Sequence, residues 1–418
     1  MAQRHLDPTD PTAAAGPPPV PAGGDALADY LRAQATEFLR ALRLHRESGA
    51  GAHGNGAQSS GSQSSGSHPS GAHPSGAGAL DRGRGRGPAP APDGPVDAAR
   101  ALRRAARRLS GTLHTFQPLL DAEWAEAMRP ELAWLSGTLA LEHAYASRLD
   151  RLLQALHRLS GSAAFPAQQQ AGRAAPARAA ATADPAPVTP LAPSVTRPSP
   201  ADRGNLTVGA AKAGALLDRQ LTLARTRAHS TALQALGSSR FHAVADKVAL
   251  LASEVPLKDT AAAAADLRPL AAAARDRLTD AVAALPLVTA GNPYNAQALV
   301  HGLSPDPAPH PQDAQWHQVR LLLRLHRYAL EVLAGTDAED ADGADGTTDV
   351  RLLAAGEALD RHRDASEAAA AAAQAARTPR IAPATAYALG VLHADQRHEV
   401  EAARYAFQHS WRKEPIRL

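Results

Sequence analysis

Two long tracts of small residues and proline interrupt the sequence, and neither can contribute to a packed core. Residues 47–96 consist mainly of Gly, Ser, His, Ala and Pro, and residues 161–205 are rich in Ala, Pro and Gln. Such compositions bury too little apolar surface to offset the entropy lost on ordering. We therefore predict two long disordered insertions, in addition to a disordered N-terminal tail at residues 1–23. The folded part is limited to what remains of the 418 residues.

Outside these tracts, apolar residues recur with the spacing of helices. No segment alternates with a period of two, and β-branched residues are sparse, so the sequence does not support strands. The fold class is therefore predicted to be all-α. The predicted helices cover about residues 25–46, 97–116, 124–140, 142–159, 208–236, 241–251, 266–283, 313–335, 350–376 and 382–410.

The predicted helices form two similar sets, at residues 24–160 and 206–415. Each set contains a helix with a stripe of arginines, which follows a connection with proline and precedes a helix rich in Leu and Ala. This internal similarity favours a tandem of two antiparallel helical bundles.

Composition excludes several classes of protein. The chain has no cysteine, which excludes disulfides, thiolate zinc sites, iron–sulfur clusters and cysteine nucleophiles. No apolar run reaches the roughly 18 residues of a membrane span, and the start of the chain lacks the apolar stretch of a signal peptide. We expect a soluble cytoplasmic protein without a membrane partner.

The overall charge says little about ligands. The chain has 44 Lys and Arg against 41 Asp and Glu, a formal excess of +3, so its bulk attraction to polyanions is weak. An arginine-rich and alanine-rich composition is also what a GC-rich genome produces. Only the placement of the arginines therefore counts as evidence for a binding site.

One predicted helix carries four potential cations on a single face. His317, Arg320, Arg324 and Arg327 stand at i, i+3, i+7 and i+10, which is one continuous face at 3.6 residues per turn. The stripe extends over about 15 Å of helix. Its charges repel each other, so it costs stability unless an anion or neighbouring acidic groups neutralise it.

A predicted helix in the first set repeats this pattern. Arg100, Arg103 and Arg107 stand at i, i+3 and i+7, and Arg104 and Arg108 flank them. When this helix is aligned with the other stripe, its first three arginines match the first three cations there. A solvated helix face would explain either stripe alone, but two stripes in matching register favour an anion site. Arginine suits phosphate because its planar fork binds two oxygens and stays charged at physiological pH.

These segments resemble the CHAD family, the conserved-histidine α-helical domain. The family pattern H-x-x-R-x-x-x-K-R-x-R-Y corresponds to WHQVRLLLRLHRYALEVL, and H-x-x-R-x-x-x-R-R-L-R corresponds to RALRRAARRLSGTLHTF. A weaker similarity to L-G-x-H-x-D lies in EALDRHRDA and includes His362. The resemblance covers nearly all of residues 24–413 apart from the low-complexity insertions.

The resemblance implies two pseudo-symmetric four-helix bundles and a basic central channel that binds inorganic polyphosphate without an enzymatic reaction. Arg103, Arg107, Arg320, Arg324 and Arg327 are the expected phosphate clamps. Arg100 and His317 would be supplementary donors, and Tyr328 an orienting or packing group. The complete candidate site is Arg100, Arg103, Arg104, Arg107, Arg108, His317, Arg320, Arg324, Arg327, Tyr328 and His362.

The sequence departs from the family pattern at several basic positions. Arg100 replaces the histidine of the first pattern, and Ser110 replaces an arginine. His143 and Ala144 stand where an Arg-Asp pair is common, and Leu325 stands where a basic residue is frequent. We expect a channel that is less basic than the family norm.

Two alternative functions remain at this point. The first is a degenerate CHAD scaffold that binds a protein partner, which the lost basic positions and the insertions favour. The second is a metal-dependent phosphohydrolase, but His362 and Asp364 are two residues apart and do not face each other on a helix. The sequence has no phosphate-binding G-x-x-x-x-G-K loop. We expect no cofactor, no metal and no specific nucleic-acid partner, and association with polyphosphate granules stays open.

Overall fold

The computed structural model describes residues 23–54, 95–161, 200–258, 265–291, 311–336 and 350–412. In this part of the chain, the regular elements are helices, and the only β pairing is an isolated bridge between Leu120 and Leu257. The all-α prediction is confirmed. The helices are α1 (Gly23–Gly54), α2 (Pro95–Thr115), α3 (Ala122–Leu159), α4 (Pro200–Leu236), α5 (Ser239–Ser253), α6 (Arg268–Ala283), α7 (Leu287–Ala290), α8 (Pro311–Thr336), α9 (Val350–Ala376) and α10 (Pro383–Arg412), with a 3₁₀ turn at Gln117–Leu119.

The predicted insertions only partly fall within the described residues. Helix α1 continues to Gly54 and α4 begins at Pro200, so both helices extend into segments that were predicted as linker. Extending a formed helix is less costly than starting one, which explains how helices continue into weakly apolar sequence. The predicted tail, apart from Gly23, and most of both insertions lie outside the described residues.

Helix α3 is one continuous helix where the sequence predicted two. It begins at Asp121, whose side chain accepts a hydrogen bond from the amide of Trp124 at 2.8 Å. Pro130 lies inside the helix, although proline removes one backbone hydrogen bond there. The buried residues Met128 and Leu132 on either side hold this segment against the neighbouring helices.

Three clusters of buried apolar residues hold the helices together. The first lies between α1, α2, the first part of α3 and α5, and includes Phe38, Phe116 and Phe241. The second joins the last part of α3 to α4, α9 and α10. The third is built around Trp316 and Phe407 from α6, α8, α9 and α10.

Helices α9 and α10 pack along their length. The C-terminal part of α9 meets the N-terminal part of α10 in the second cluster, and the opposite ends meet in the third, so the two helices are antiparallel. Alanines fill much of the interface on α9, including Ala368, Ala369, Ala372 and Ala375. Their small side chains explain how a helix with so little large apolar surface can be buried.

Helices from the two predicted sets share these clusters. The first cluster contains α5 residues and the end of α8, and the second contains the end of α3. The tandem of two bundles and the division at residues 161–205 therefore stay predictions. Within the described residues, no helix is long and apolar enough to cross a membrane.

Candidate functional site

A cleft of about 730 Å³ lies between α3 and α9, with α2, α8 and α10 at its edges. We call it the arginine cleft because seven arginines line it, together with five carboxylates and His143. Three of these arginines belong to the predicted stripes, namely Arg103, Arg107 and Arg320. The other four are Arg148, Arg151 and Arg158 on α3 and Arg363 on α9.

The two arginine stripes meet at one end of this cleft. Burial, together with the charges of Arg103 and Arg320, lowers the pKa of Arg107 to about 10. Burial likewise lowers the pKa of Arg324 to about 10, with added repulsion from Arg320 and Arg107. Each stripe therefore lies within the electrostatic field of the other.

Three of these arginines have no partner within the described part of the chain. Arg103, Arg107 and Arg324 make no ion pair there, and we call them the unpaired arginines. The Nε atom of Arg103 is buried and has no hydrogen-bond partner among the described residues. Burial, and then repulsion from Arg363 and other arginines, lowers the pKa of Arg103 as well. An anion would relieve both the repulsion and the unsatisfied donors.

Three other arginines that line the cleft are paired with carboxylates of α9. Arg320 forms an ion pair with Asp360. Arg363 donates to Glu367 at 3.1 Å, and Glu367 also pairs with Arg148. The cleft thus contains both unpaired cations and cations that already have an anionic partner.

Arg108 and Tyr328 do not line the cleft. Arg108 donates two hydrogen bonds to Glu331, at 2.7 and 3.2 Å, and Tyr30 donates to the same carboxylate at 2.8 Å. This pairing raises the pKa of Arg108 above its usual value. The guanidinium of Arg108 lies 5.9 Å from the centroid of the Tyr328 ring. The same ring packs so closely against Gly111 that a Cβ at this position would clash with it. This part of the basic helices joins α1, α2 and α8.

Four further predicted arginines, Arg100, Arg104, Arg324 and Arg327, are also not among the residues that line the cleft. Arg100 and Arg104 are exposed, and Arg100 pairs with Asp97 at 3.4 Å. Arg327 is half-buried against α9, close to Gly356. The structure therefore does not bring the whole predicted set together.

His317 is half-buried beside His362 and is not among the residues that line the cleft. Its Nε2 atom is 3.4 Å from the hydroxyl of Ser366, and its ring makes an edge contact with His362, with the centroids 5.6 Å apart. Burial lowers the pKa of His317, although the charge of Asp313 opposes the shift. His317 is therefore expected to be neutral near pH 7 and to serve as a neutral donor or acceptor.

His362 is buried, at 1% exposed, in a polar cluster behind the cleft. We call it the Asp313 cluster, and it consists of Asp313, His362, Arg397, Glu401 and Arg404. Asp313 accepts hydrogen bonds from Arg397 at 2.8 and 3.3 Å and from Arg404 at 2.7 Å. Arg404 also pairs with Glu401 at 2.7 Å. These contacts join α8, α9 and α10, and they place His362 out of reach of a ligand in the cleft.

Sequence analysis missed the four cleft arginines outside the basic stripes. Arg148, Arg151 and Arg158 stand at i, i+3 and i+10 on α3, so helical spacing could have grouped them on one face. Nothing in the sequence showed that this face lies opposite α9 and Arg363. His143, noted as a departure from the family pattern, also lines the cleft.

The described residues contain no group of three His, Asp or Glu side chains placed to hold a metal ion.

Comparison with known proteins identifies a family and a similar solved structure. The model of the CHAD domain matches residues 88–373. Among solved structures, PptA from Streptomyces chartreusis is similar, with 60% sequence identity and a TM-score of 0.64. The match covers 94% of this chain and 100% of that one. No curated protein matches the chain.

Proposed function

Because the chain belongs to the CHAD family, we propose that it binds inorganic polyphosphate in the arginine cleft. Polyphosphate is a flexible, unbranched chain with close to one negative charge per phosphate. The cleft offers it guanidinium groups from α2, α3, α8 and α9. A narrow cleft between helices admits a phosphate chain more readily than a base-paired duplex.

The observation that carries this proposal is the meeting of the unpaired arginines. Arg107 and Arg324 come from different helices; the charge of Arg107 contributes to lowering the pKa of Arg324, and the charge of Arg320 on α8 contributes to lowering the pKa of Arg107. Buried cations without partners destabilise a fold. A polyanion would neutralise them, and charge-assisted hydrogen bonds to phosphate oxygens are among the stronger polar contacts.

The residues would act in different ways. The unpaired arginines would bind the chain first, because nothing has to be displaced from them. Arg320 and Arg363 would bind phosphate after exchange with their carboxylates. His317 would contribute a hydrogen bond at the edge of the cleft, because its lowered pKa leaves it neutral near pH 7.

The proposal is binding without turnover. A release assay separates it from a phosphohydrolase: long-chain polyphosphate incubated with the protein and a divalent cation should yield no orthophosphate above a blank. Release by the wild type that is lost when the cleft is mutated would instead assign an enzyme.

The direct test is capture on immobilised long-chain polyphosphate across a salt series. Binding should weaken steeply with salt, because cations condensed on the chain are released when arginines bind it. The variant Arg107→Gln/Arg324→Gln should bind at least tenfold more weakly, since it removes two charge-assisted contacts. The control Arg219→Gln/Arg227→Gln removes the same charge from two exposed positions of α4.

The two variants separate site binding from general charge. If both lose affinity equally, net charge and not the cleft attracts the polymer. If neither loses affinity, the cleft is not the site, and a scaffold role becomes the better explanation. Circular dichroism should show equal helix content in all variants.

A further inference from the structure

Three carboxylates of α9 lie along the wall of the arginine cleft. Asp360, Asp364 and Glu367 stand at i, i+4 and i+7 and all line the cleft. Asp360 pairs with Arg320, and Glu367 pairs with Arg148 and Arg363. A site that binds polyanions thus contains anions that already occupy some of its cations.

The pair between Arg320 and Asp360 is uneven in exposure. The side chain of Arg320 is 17% exposed, whereas that of Asp360 is 60% exposed. The guanidinium is therefore held in the cleft, and the carboxylate can turn into water. Exposed carboxylates pair only weakly with arginine, so a phosphate can take the place of Asp360.

We propose that Asp360 is an intramolecular competitor that occupies Arg320 in the unliganded protein and thereby sets the affinity of the cleft for polyphosphate. This inference rests on the proposed function. The unpaired arginines bind the polymer first and hold a neighbouring phosphate near Arg320 at high effective concentration. The phosphate then displaces Asp360, and Arg320 exchanges one anionic partner for another.

The exchange has a signature in the salt dependence. Binding of polyphosphate to Arg320 releases cations from the polymer. The displaced carboxylate of Asp360 takes up a cation from solution, which offsets part of that release. Without this carboxylate, the dependence of binding on salt should be steeper.

The experiment is a titration of long-chain polyphosphate with the full chain, wild type and Asp360→Asn, at several salt concentrations. We expect Asp360→Asn to bind roughly three- to tenfold more tightly at low salt, as removal of a weak competing ion pair allows. The slope of log K against log salt should steepen by at most about 0.7 to 0.9, the value for one phosphate contact. A simple loss of a structural contact would not change the slope in this direction.

The control is Asp150→Asn. Asp150 also lines the cleft and is exposed, but it makes no ion pair among the described residues. It therefore reports the effect of one less negative charge in the same cleft without release of an arginine. Its effect should be clearly smaller than that of Asp360→Asn.

A double-mutant cycle with Arg320→Gln completes the test. If Asp360 acts through Arg320, Asp360→Asn should bring little gain in the Arg320→Gln background. Weaker binding by Asp360→Asn would mean that the carboxylate positions Arg320, and this would overturn the inference. Equal gains for Asp360→Asn and Asp150→Asn would also overturn it. A wild type that fails to bind polyphosphate would instead refute the proposed function.

Discussion

The arginine cleft and the Asp313 cluster lie on neighbouring parts of α8, α9 and α10. They differ in whether their arginines have carboxylate partners. In the Asp313 cluster, both arginines donate to carboxylates, and Asp313 is only 2% exposed. In and beside the cleft, the unpaired arginines have no acidic partner among the described residues.

The difference shows how to distinguish structural from ligand-binding arginines. A buried charge must be neutralised to be tolerated. Where the chain supplies the carboxylate, the arginine joins helices. Where the chain leaves the cation unpaired beside a cleft, the fold carries a cost that an anionic ligand would reduce.

The largest change in stability should come from disrupting the Asp313 cluster. Asp313→Ala leaves Arg397 and Arg404 buried without their shared carboxylate, so it should lower the free energy of unfolding by about 3–5 kcal/mol. Urea unfolding at pH 7 measures this loss. The control Asp29→Ala removes an exposed partner of Arg32 and should change little. A loss no larger than that of the control would mean that the cluster does not stabilise the fold.

Acid should also weaken the Asp313 cluster. Burial lowers the pKa of His362 to about 4, despite the opposing effect of Asp313. In the unfolded chain this histidine is protonated near pH 6.5, whereas in the folded protein it is protonated only near pH 4. The free energy of unfolding therefore falls as the pH falls through this window. The free energy of unfolding should drop by about 2 kcal/mol between pH 7 and pH 5 because of this group.

Urea unfolding of His362→Gln over the same pH range checks this assignment. The variant should lose that part of the pH dependence, whereas His242→Gln, at an exposed position of α5, should keep it. An unchanged pH profile for His362→Gln would assign the acid sensitivity to other groups.

Where the two basic stripes meet, removal of a cation should change the free energy of unfolding in the opposite direction. Unlike Arg404, Arg324 makes no ion pair among the described residues, and burial and repulsion from Arg320 and Arg107 lower its pKa, so its charge is unfavourable in the fold. Arg324→Met should therefore raise the free energy of unfolding by about 1–2 kcal/mol, after allowance for lost contacts of the guanidinium. The same variant should bind polyphosphate more weakly. Thermal and urea unfolding measure this change. Arg404→Met, which removes a paired arginine from the Asp313 cluster, should instead lower the free energy of unfolding.

The smallest effect concerns Arg108, which the sequence placed in the binding site. Its guanidinium is occupied by Glu331, which stands seven residues after Arg324 on α8. Arg108→Gln should therefore change polyphosphate affinity by less than about twofold, the effect expected of a distant charge. A loss of polyphosphate affinity as large as that of Arg107→Gln would indicate that Arg108 contacts the polymer after all.

Much of the fold follows from the sequence because the helical period is visible wherever a helix buries one face. The division predicted within α3 was wrong for a physical reason. Its first part buries Met128 and Leu132 in the first cluster, and its last part buries Leu152 and Leu156 in the second. The apolar stripe changes direction between them, so a single helix has the pattern of two.

From the sequence, the candidate site could be predicted only within each single helix. Spacing placed Arg103 and Arg107 on one face and Arg320 on another, and the structure brings these faces together. Spacing does not reveal the neighbours of a face. The positions of Arg151 opposite α9 and of Arg108 beside Glu331 therefore depend on tertiary packing.

The continuity of α3 has a consequence for how the protein tolerates damage. This helix is about 57 Å long and ends in a hydrophobic cluster built with α4, α9 and α10. A protease that cut the backbone between residues 162 and 199 would leave two fragments that still share buried surfaces. The fragments should stay associated and remain folded as a nicked complex, so that severing the peptide chain there would not separate the molecule into independent pieces.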